Sequence, residues 1–222
     1  MFKVLVTCLL FAPLFSFSQI STITIDLVIK PVPKPVSRDT AADNWDLRLP
    51  AYHTLSDKAK DVLYWTNYCR NNPQKFWDTV MAPILVAFPK LQGPEANSLK
   101  ADLLDAGKLP MFILNDALLK TAQSHAADIS RKPSPPSHTS TNGTDFGTRM
   151  NRAGIKTCAS ENISVGYNEV LLSIALLYLD IGLPERGHRK ALLNPTLLEI
   201  GIGCSPYGKD QFFIVEDFAC AQ

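Results

Sequence analysis

Three residues from separate parts of the chain are the candidates for a functional site: His138, Glu161 and His188. His138 follows a proline-rich run, so we expect it on a loop that keeps the ring accessible. Glu161 opens an apolar run, where a carboxylate is partly removed from water and needs a partner such as a histidine, an arginine or a metal ion. His188 follows Gly187 in a polar stretch. Imidazole and carboxylate are suitable ligands for zinc or another divalent cation, so these three residues form the predicted metal set.

The other two histidines and the serines have weaker claims to function. His125 lies on the apolar face of a predicted helix and is expected in the core, and His53 is expected on the surface. The sequence contains neither a Gly-x-Ser-x-Gly elbow nor a His-Glu-x-x-His helix. Binding is therefore favoured over catalysis. A metal-dependent hydrolase or protease, with Glu161 as general base and His188 polarising a carbonyl or holding the metal, is the alternative.

The elements that must position these residues are helices first and strands last. Apolar spacing and capping residues predict helices from a cap at Thr54 or Ser56 to about Arg70, after Pro73, and over 98–106, 117–131, 146–153 and 169–179. Strands are predicted over 161–166 and in a hairpin that covers 199–219. Because no βαβ unit repeats, this order predicts an α+β fold.

The first 54 residues differ from the rest. Met1–Lys3 and the apolar run Val4–Phe17 are typical of a secretory signal over 1–18, and the run is too short to span a bilayer. We expect a secreted or periplasmic protein without a transmembrane anchor. Residues 19–54 are predicted to form an arm and a proline-rich linker, in which 20–27 either add an edge strand or remain mobile. The folded domain is predicted over 55–222.

Charge and cysteine content narrow the function classes. Lys and Arg number 22 against 21 Asp and Glu, without a basic stripe, which disfavours nucleic-acid partners. Cys8 would leave with the signal. The even count of remaining cysteines predicts two disulfides in an oxidising compartment, and their pairing is open among three possibilities. These cysteines are Cys69, Cys158, Cys204 and Cys220.

Several ordered motifs together resemble a known family. They are 114–128 (LNDALLKTAQSHAAD), His138, Asn142-Gly143 with Arg149, Glu161-Asn162-Ile163, Gly187-His188-Arg189 and Gly201-Ile202-Gly203. In this order they resemble the CAP superfamily, the SCP-like extracellular domain, and in particular its bacterial branch. The resemblance covers about residues 55–219.

This resemblance implies a fold and a cleft. The expected fold is a three-layer α-β-α sandwich with a central antiparallel sheet, and the expected cleft holds two histidines and two acids. Position by position, these are His138, Glu161, His188 and, as the fourth, Asp180. The glutamate that usually follows a helix tryptophan is absent here, so Glu185 is a second candidate for the fourth acid.

The family's members also widen the range of expected ligands. Its sterol-binding and effector members imply an apolar ligand or an extracellular protein as other partners. The apolar helix 170–179 would suit such a ligand, and burial of that helix in the sandwich is the competing interpretation.

Overall fold

The computed structural model describes residues 27, 30–131, 135–167 and 169–222. The predicted signal segment 1–18 lies outside this part of the chain, as does the alternating segment 20–27 apart from its last residue. Both remain sequence predictions.

The predicted helices are present in the predicted order, and the helices over 40–46 and 187–192 were not predicted. The α-helices are α1 (Thr40–Asp46), α2 (Asp57–Asn71), α3 (Pro73–Phe76), α4 (Ala82–Ala87), α5 (Pro94–Ala106), α6 (Asp116–Arg131), α7 (Phe146–Arg152), α8 (Val170–Leu179) and α9 (Gly187–Leu192). A π-helical turn, Trp77–Met81, connects α3 to α4, and single 3-10 turns lie at Tyr52–Thr54 and Pro89–Leu91. The cap predicted before α2 is Ser56, whose hydroxyl accepts from the Ala59 amide at 3.3 Å.

Four strands form one sheet in the order β1-β3-β4-β2. They are β1 (Ile113–Leu114), β2 (Ala159–Tyr167), β3 (Glu199–Tyr207) and β4 (Gln211–Ala219). The predicted hairpin is confirmed as β3 and β4, and β4 pairs antiparallel with both β3 and β2. Only the two-residue β1 runs parallel to its neighbour.

Helices cover both faces of this sheet, which confirms the α+β fold and the three layers. On one face the backbone of α6 lies directly on β3, because two glycines leave room for it. A Cβ at Gly201 would lie 2.0 Å from the Leu118 carbonyl carbon, and one at Gly203 would lie 2.2 Å from the Ala122 carbonyl oxygen. The second face packs against α2 and α8. Nearly every residue of α8 is buried, so its apolar character serves the core.

The segment predicted as a linker contributes to the packed structure. Asp39 caps α1 by accepting from the amides of Ala41 and Ala42, and α1 buries Ala42 and Asp46. Asp is a preferred cap and alanine a strong helix former, so the sequence did contain this signal. The boundary at residue 55 stays a prediction, although packing against the domain begins before it.

The prediction of two disulfides is only half correct. Cys158 and Cys220 are bonded, whereas Cys69 and Cys204 are free thiols. The free pair lies on different elements: Cys69 is buried in α2 against the Tyr178 side chain, and Cys204 lies on β3. No helix in the described part of the chain is long and apolar enough to cross a membrane.

Candidate functional site

The first half of the site joins His138 to Glu161. His138 Nδ1 lies 2.5 Å from Glu161 Oε1, and a quarter of the His138 side chain is exposed whereas that of Glu161 is almost fully buried. A carboxylate only accepts hydrogen bonds, so Nδ1 carries the hydrogen and Nε2 keeps its lone pair.

The loop that carries His138 is held by the buried His125, whose Nε2 lies 2.9 Å from the Ser137 carbonyl oxygen. The predicted core position of His125 is confirmed.

Arg149 on α7 supplies the charge that balances Glu161. Its Nη2 donates to Glu161 Oε2, and its Nη1 donates to the His138 carbonyl oxygen at 2.7 Å. The guanidinium therefore neutralises the carboxylate and also holds the backbone of the residue that the carboxylate orients. Both oxygens of Glu161 are thus engaged, Oε1 by the ring of His138 and Oε2 by Arg149.

A second buried acid, Asp217, lies beside Glu161. The two residues are directly opposite on β2 and β4, and Thr121 on α6 reaches Asp217 Oδ2 at 2.5 Å. Burial raises the pKa of Asp217 well above its usual range, and the neighbouring charge of Glu161 raises it further. Burial also raises the pKa of Glu161, but Arg149 opposes that rise. Two such close carboxyl groups do not both ionise readily. We therefore assign a proton to Asp217 and the negative charge to Glu161.

His138 is held neutral. Burial lowers its pKa to about 4, and the charges of His188 and Arg149 contribute to the lowering. The contribution of His188 means that the two rings lie within electrostatic reach of each other. At neutral pH the ring of His138 therefore presents a lone pair at Nε2 rather than a positive charge.

The second half of the site joins His188 to Asp180. His188 Nδ1 lies 2.5 Å from Asp180 Oδ1, and Asp180 Oδ2 accepts from the Arg189 amide at 2.9 Å. Asp180 ends α8 in the left-handed conformation at φ 51°, a conformation that Asp and Asn tolerate better than most residues. Of the two candidates for the fourth acid, Asp180 contacts His188, whereas Glu185 is exposed.

Arg189 holds this half in place from beneath. Its buried guanidinium donates to the carbonyls of Tyr178 and Leu179 at the end of α8. The same group donates to Asp102 Oδ2 on α5 at 2.8 Å. Since His188 and Arg189 are adjacent, these contacts fix the start of α9 against α8 and α5, and with it the position of the His188 ring.

Two consecutive residues at the start of β2 contact the two halves of the site. Neighbouring residues of a strand point to opposite faces, so Glu161 contacts His138 on one face and Asn162 points to the other. There Asn162 Nδ2 donates to the His188 carbonyl oxygen at 3.3 Å and to Glu216 Oε2 at 3.4 Å. Burial raises the pKa of Glu216 to about 7. Both histidines are therefore positioned by consecutive residues of one strand.

Sequence reasoning missed part of this arrangement. Arg149 was noticed only within a family motif, without a role, and the acids Glu216 and Asp217 were not considered. A signal for the acids was present, because two adjacent acidic residues interrupt the otherwise apolar run of β4. Charges inside a strand that is buried on both faces require partners nearby.

The predicted metal set fits this geometry only in part. Zinc sites usually have three or four protein ligands. Among the described residues, no group of three or more His, Cys, Asp and Glu side chains is arranged to hold a metal ion. Each oxygen of Glu161 already accepts a hydrogen bond, whereas the Nε2 atoms of His138 and His188, each supported by a carboxylate at Nδ1, would be available to a cation.

Comparison with known protein families identifies one family that matches the sequence. The model of the cysteine-rich secretory protein family (CAP) matches residues 66–218, more than half of the chain. No curated protein matches the sequence.

Three solved structures that the chain partly matches come from different organisms. An extracellular Bacillus anthracis protein containing an SCP domain is 22% identical, over 59% of this chain and 44% of that one, with a TM-score of 0.43. An outer surface protein of Borrelia burgdorferi is 21% identical, over 58% of this chain and 87% of that one, with a TM-score of 0.43. Venom allergen-like protein 4 of Schistosoma mansoni is 14% identical, over 76% and 91%, with a TM-score of 0.44. The chain thus spans less than half the length of the Bacillus protein.

Proposed function

The chain belongs to the CAP family of cysteine-rich secretory proteins, and we propose that it is an exported binding protein whose cleft holds a divalent cation between His138 and His188. One observation carries the proposal. Each imidazole is fixed at Nδ1 by a buried carboxylate, Glu161 or Asp180, which leaves Nε2 as an oriented donor atom. A carboxylate behind a histidine is the usual support of a metal-binding imidazole.

The same geometry sets the strength and chemistry of binding. With two protein ligands, water or the donor atoms of a further ligand complete the coordination, so the cation exchanges more readily than in a structural zinc site. Imidazole suits zinc, copper and nickel better than calcium or magnesium. The cation would supply a positive charge in the cleft, to which an extracellular ligand with a free carboxylate or phosphate could attach. Hydrolysis remains the alternative activity of this cleft.

Calorimetric titration with Zn²⁺ tests the proposal. We expect saturable binding of about one equivalent to the mature protein, and a loss of at least about tenfold in affinity in the His138→Ala/His188→Ala variant, because both ligands are removed. His53→Ala removes an exposed histidine and is the matched control, with an expected affinity equal to that of the wild type. Equal binding by the wild type and the double variant would refute the assignment of these two residues.

Asp180→Asn separates orientation from ligation. Asparagine has the same shape and tolerates the left-handed conformation, so the fold should be kept while the charge behind His188 is lost. We expect Zn²⁺ affinity to fall by about 10- to 100-fold in the same titration. Glu185→Gln makes the same chemical change at the other candidate acid, which is exposed, and should leave the affinity unaltered. Equal effects of the two substitutions would contradict the role of Asp180.

A further inference from the structure

Helix α1 packs against the rest of the domain and buries a carboxyl group there. One oxygen of this group has no hydrogen-bond partner. Asp46, the last residue of α1, is 1% exposed. Its Oδ1 accepts from Asn67 Nδ2 on α2 at 2.8 Å, whereas its Oδ2 is buried without a hydrogen-bond partner. Burying a carboxylate with one amide donor and no cation is costly, but burying a neutral carboxylic acid costs much less.

Among the described residues no cation is paired directly with Asp46, although the charge of Arg38 acts to lower its pKa. From the segment before α1, Arg38 is engaged by Asp43 at 2.8 Å and reaches Asp61 on α2 at 3.4 Å. Asp43, on α1 itself, adds a second negative charge. From the following turn, the side chain that faces Asp46 is Tyr52, an acid that is neutral at ordinary pH.

The other contacts of α1 keep the same charge over the ordinary pH range, whether they are neutral or ionic. Trp45 Nε1 donates to the Phe112 carbonyl oxygen at 2.9 Å. Asn67, which holds Asp46, also donates to that oxygen at 3.2 Å and accepts from the Phe112 amide at 2.7 Å. At the opposite end of α1, Asp39 pairs with Lys75 at 3.0 Å, and that pair remains charged over the ordinary pH range. Asp46 is thus the contact of α1 that protonation changes.

We infer that α1 is an acid-tightened latch, which docks firmly on α2 and the Phe112 backbone when Asp46 carries a proton and loosens when Asp46 ionises. The inference concerns the N-terminal segment and does not depend on the proposed cation site. An exported protein with such a latch would hold its N-terminal segment against the domain in acidic surroundings and free it at neutral pH.

The linkage between proton binding and docking gives the direction of the pH effect on α1 and the pH range over which it occurs. Burial raises the pKa of Asp46 to about 7 in the docked state, whereas an exposed Asp titrates near about 4. The docked state therefore keeps a proton that the undocked state has lost between these two values. Docking should weaken about tenfold for each pH unit between about 4 and about 7, and change no further above that range.

Hydrogen exchange of the α1 amides and of the Trp45 indole N–H at pH 5 to 8, corrected for intrinsic rates, measures the opening equilibrium. In the wild type the opening constant should rise about fiftyfold from pH 5 to pH 7 and only about twofold more to pH 8. In Asp46→Asn, which keeps an acceptor for Asn67 but cannot ionise, it should stay low at every pH. Asp43→Asn on the same helix should keep the wild-type slope.

Three results would overturn the latch. A wild-type opening constant that does not change between pH 5 and pH 7 shows that Asp46 does not control docking. A slope that persists in Asp46→Asn assigns the effect to another group. Rapid exchange of α1 at every pH in Asp46→Asn shows that a neutral side chain at this position is not sufficient for docking.

Discussion

Substituting methionine for Arg149 is expected to lower the free energy of unfolding by about 3–5 kcal/mol at neutral pH, because Glu161 would remain buried without its cation. Arg149 is itself buried, and it also holds the His138 carbonyl oxygen. The substitution therefore removes the charge balance of the site and one anchor of the His138 loop. Methionine keeps much of the length and the apolar stem of arginine, so lost packing should contribute little.

The pH dependence of this loss identifies its cause. Without Arg149, the pKa of Glu161 should rise further, so that the carboxyl group takes up a proton in the folded state. A group whose pKa is raised by folding loses stability as pH increases. The deficit of Arg149→Met relative to the wild type should therefore be larger at pH 8 than at pH 5, as measured by urea unfolding.

The exposed Arg152 on the same helix provides the control for this prediction. Arg152→Met should change the free energy of unfolding by no more than about 0.5 kcal/mol, as expected for surface substitutions. If both variants lose similar stability, or if the deficit of Arg149→Met does not depend on pH, the ion pair with Glu161 does not determine the stability of this site.

Removing the disulfide between Cys158 and Cys220 should cost about 4 kcal/mol, from the chain entropy of a closed loop of this length. The bridge spans 62 residues and joins the start of β2 to the end of β4, beside Glu161 and Asp217. It thus restricts the unfolded chain and holds together the strand ends that carry the buried acids. The Cys158→Ser/Cys220→Ser variant should show a correspondingly lower urea midpoint.

Unfolding under reducing conditions separates the loss of the disulfide from any effect of the two serine side chains on stability. Wild-type protein under reducing conditions should unfold near the midpoint of the double variant, whereas the double variant should not respond to reductant. Cys204→Ser, which alters a free thiol, should keep the response of the wild type. A wild-type midpoint that is insensitive to full reduction of the bridge would contradict the prediction.

Local signals were sufficient for most elements of the fold. Ser56 and Asn115 are caps with clear apolar periodicity after them, and both α2 and α6 begin where these residues predict. The alternation on either side of the Tyr207–Gln211 turn likewise predicts the hairpin. Residues 40–46 were missed because a proline-rich stretch precedes them and the helix has only seven residues, too short for a periodic pattern.

The candidate residues of the site could be predicted from the sequence, but the contacts between them could not. His138, Glu161, Asp180 and His188 were identified by residue type and by family motif, and these are properties of the sequence. Their pairing was not, because contacts between residues far apart in sequence depend on how the strands and helices pack. Asp180 illustrates this, since its contact with His188 depends on the left-handed turn that ends α8.

The sequence by itself therefore determined the family, the order of helices and strands, and the histidines and acids on which the site depends. The tertiary structure decided how these residues act. It placed Asp217 opposite Glu161 on the neighbouring strand, and it brought Arg149 and His138 into contact with the Glu161 carboxylate. It also left Cys69 and Cys204 unbonded. Burial and strand register control these outcomes, and both arise only when distant segments of the chain are brought together.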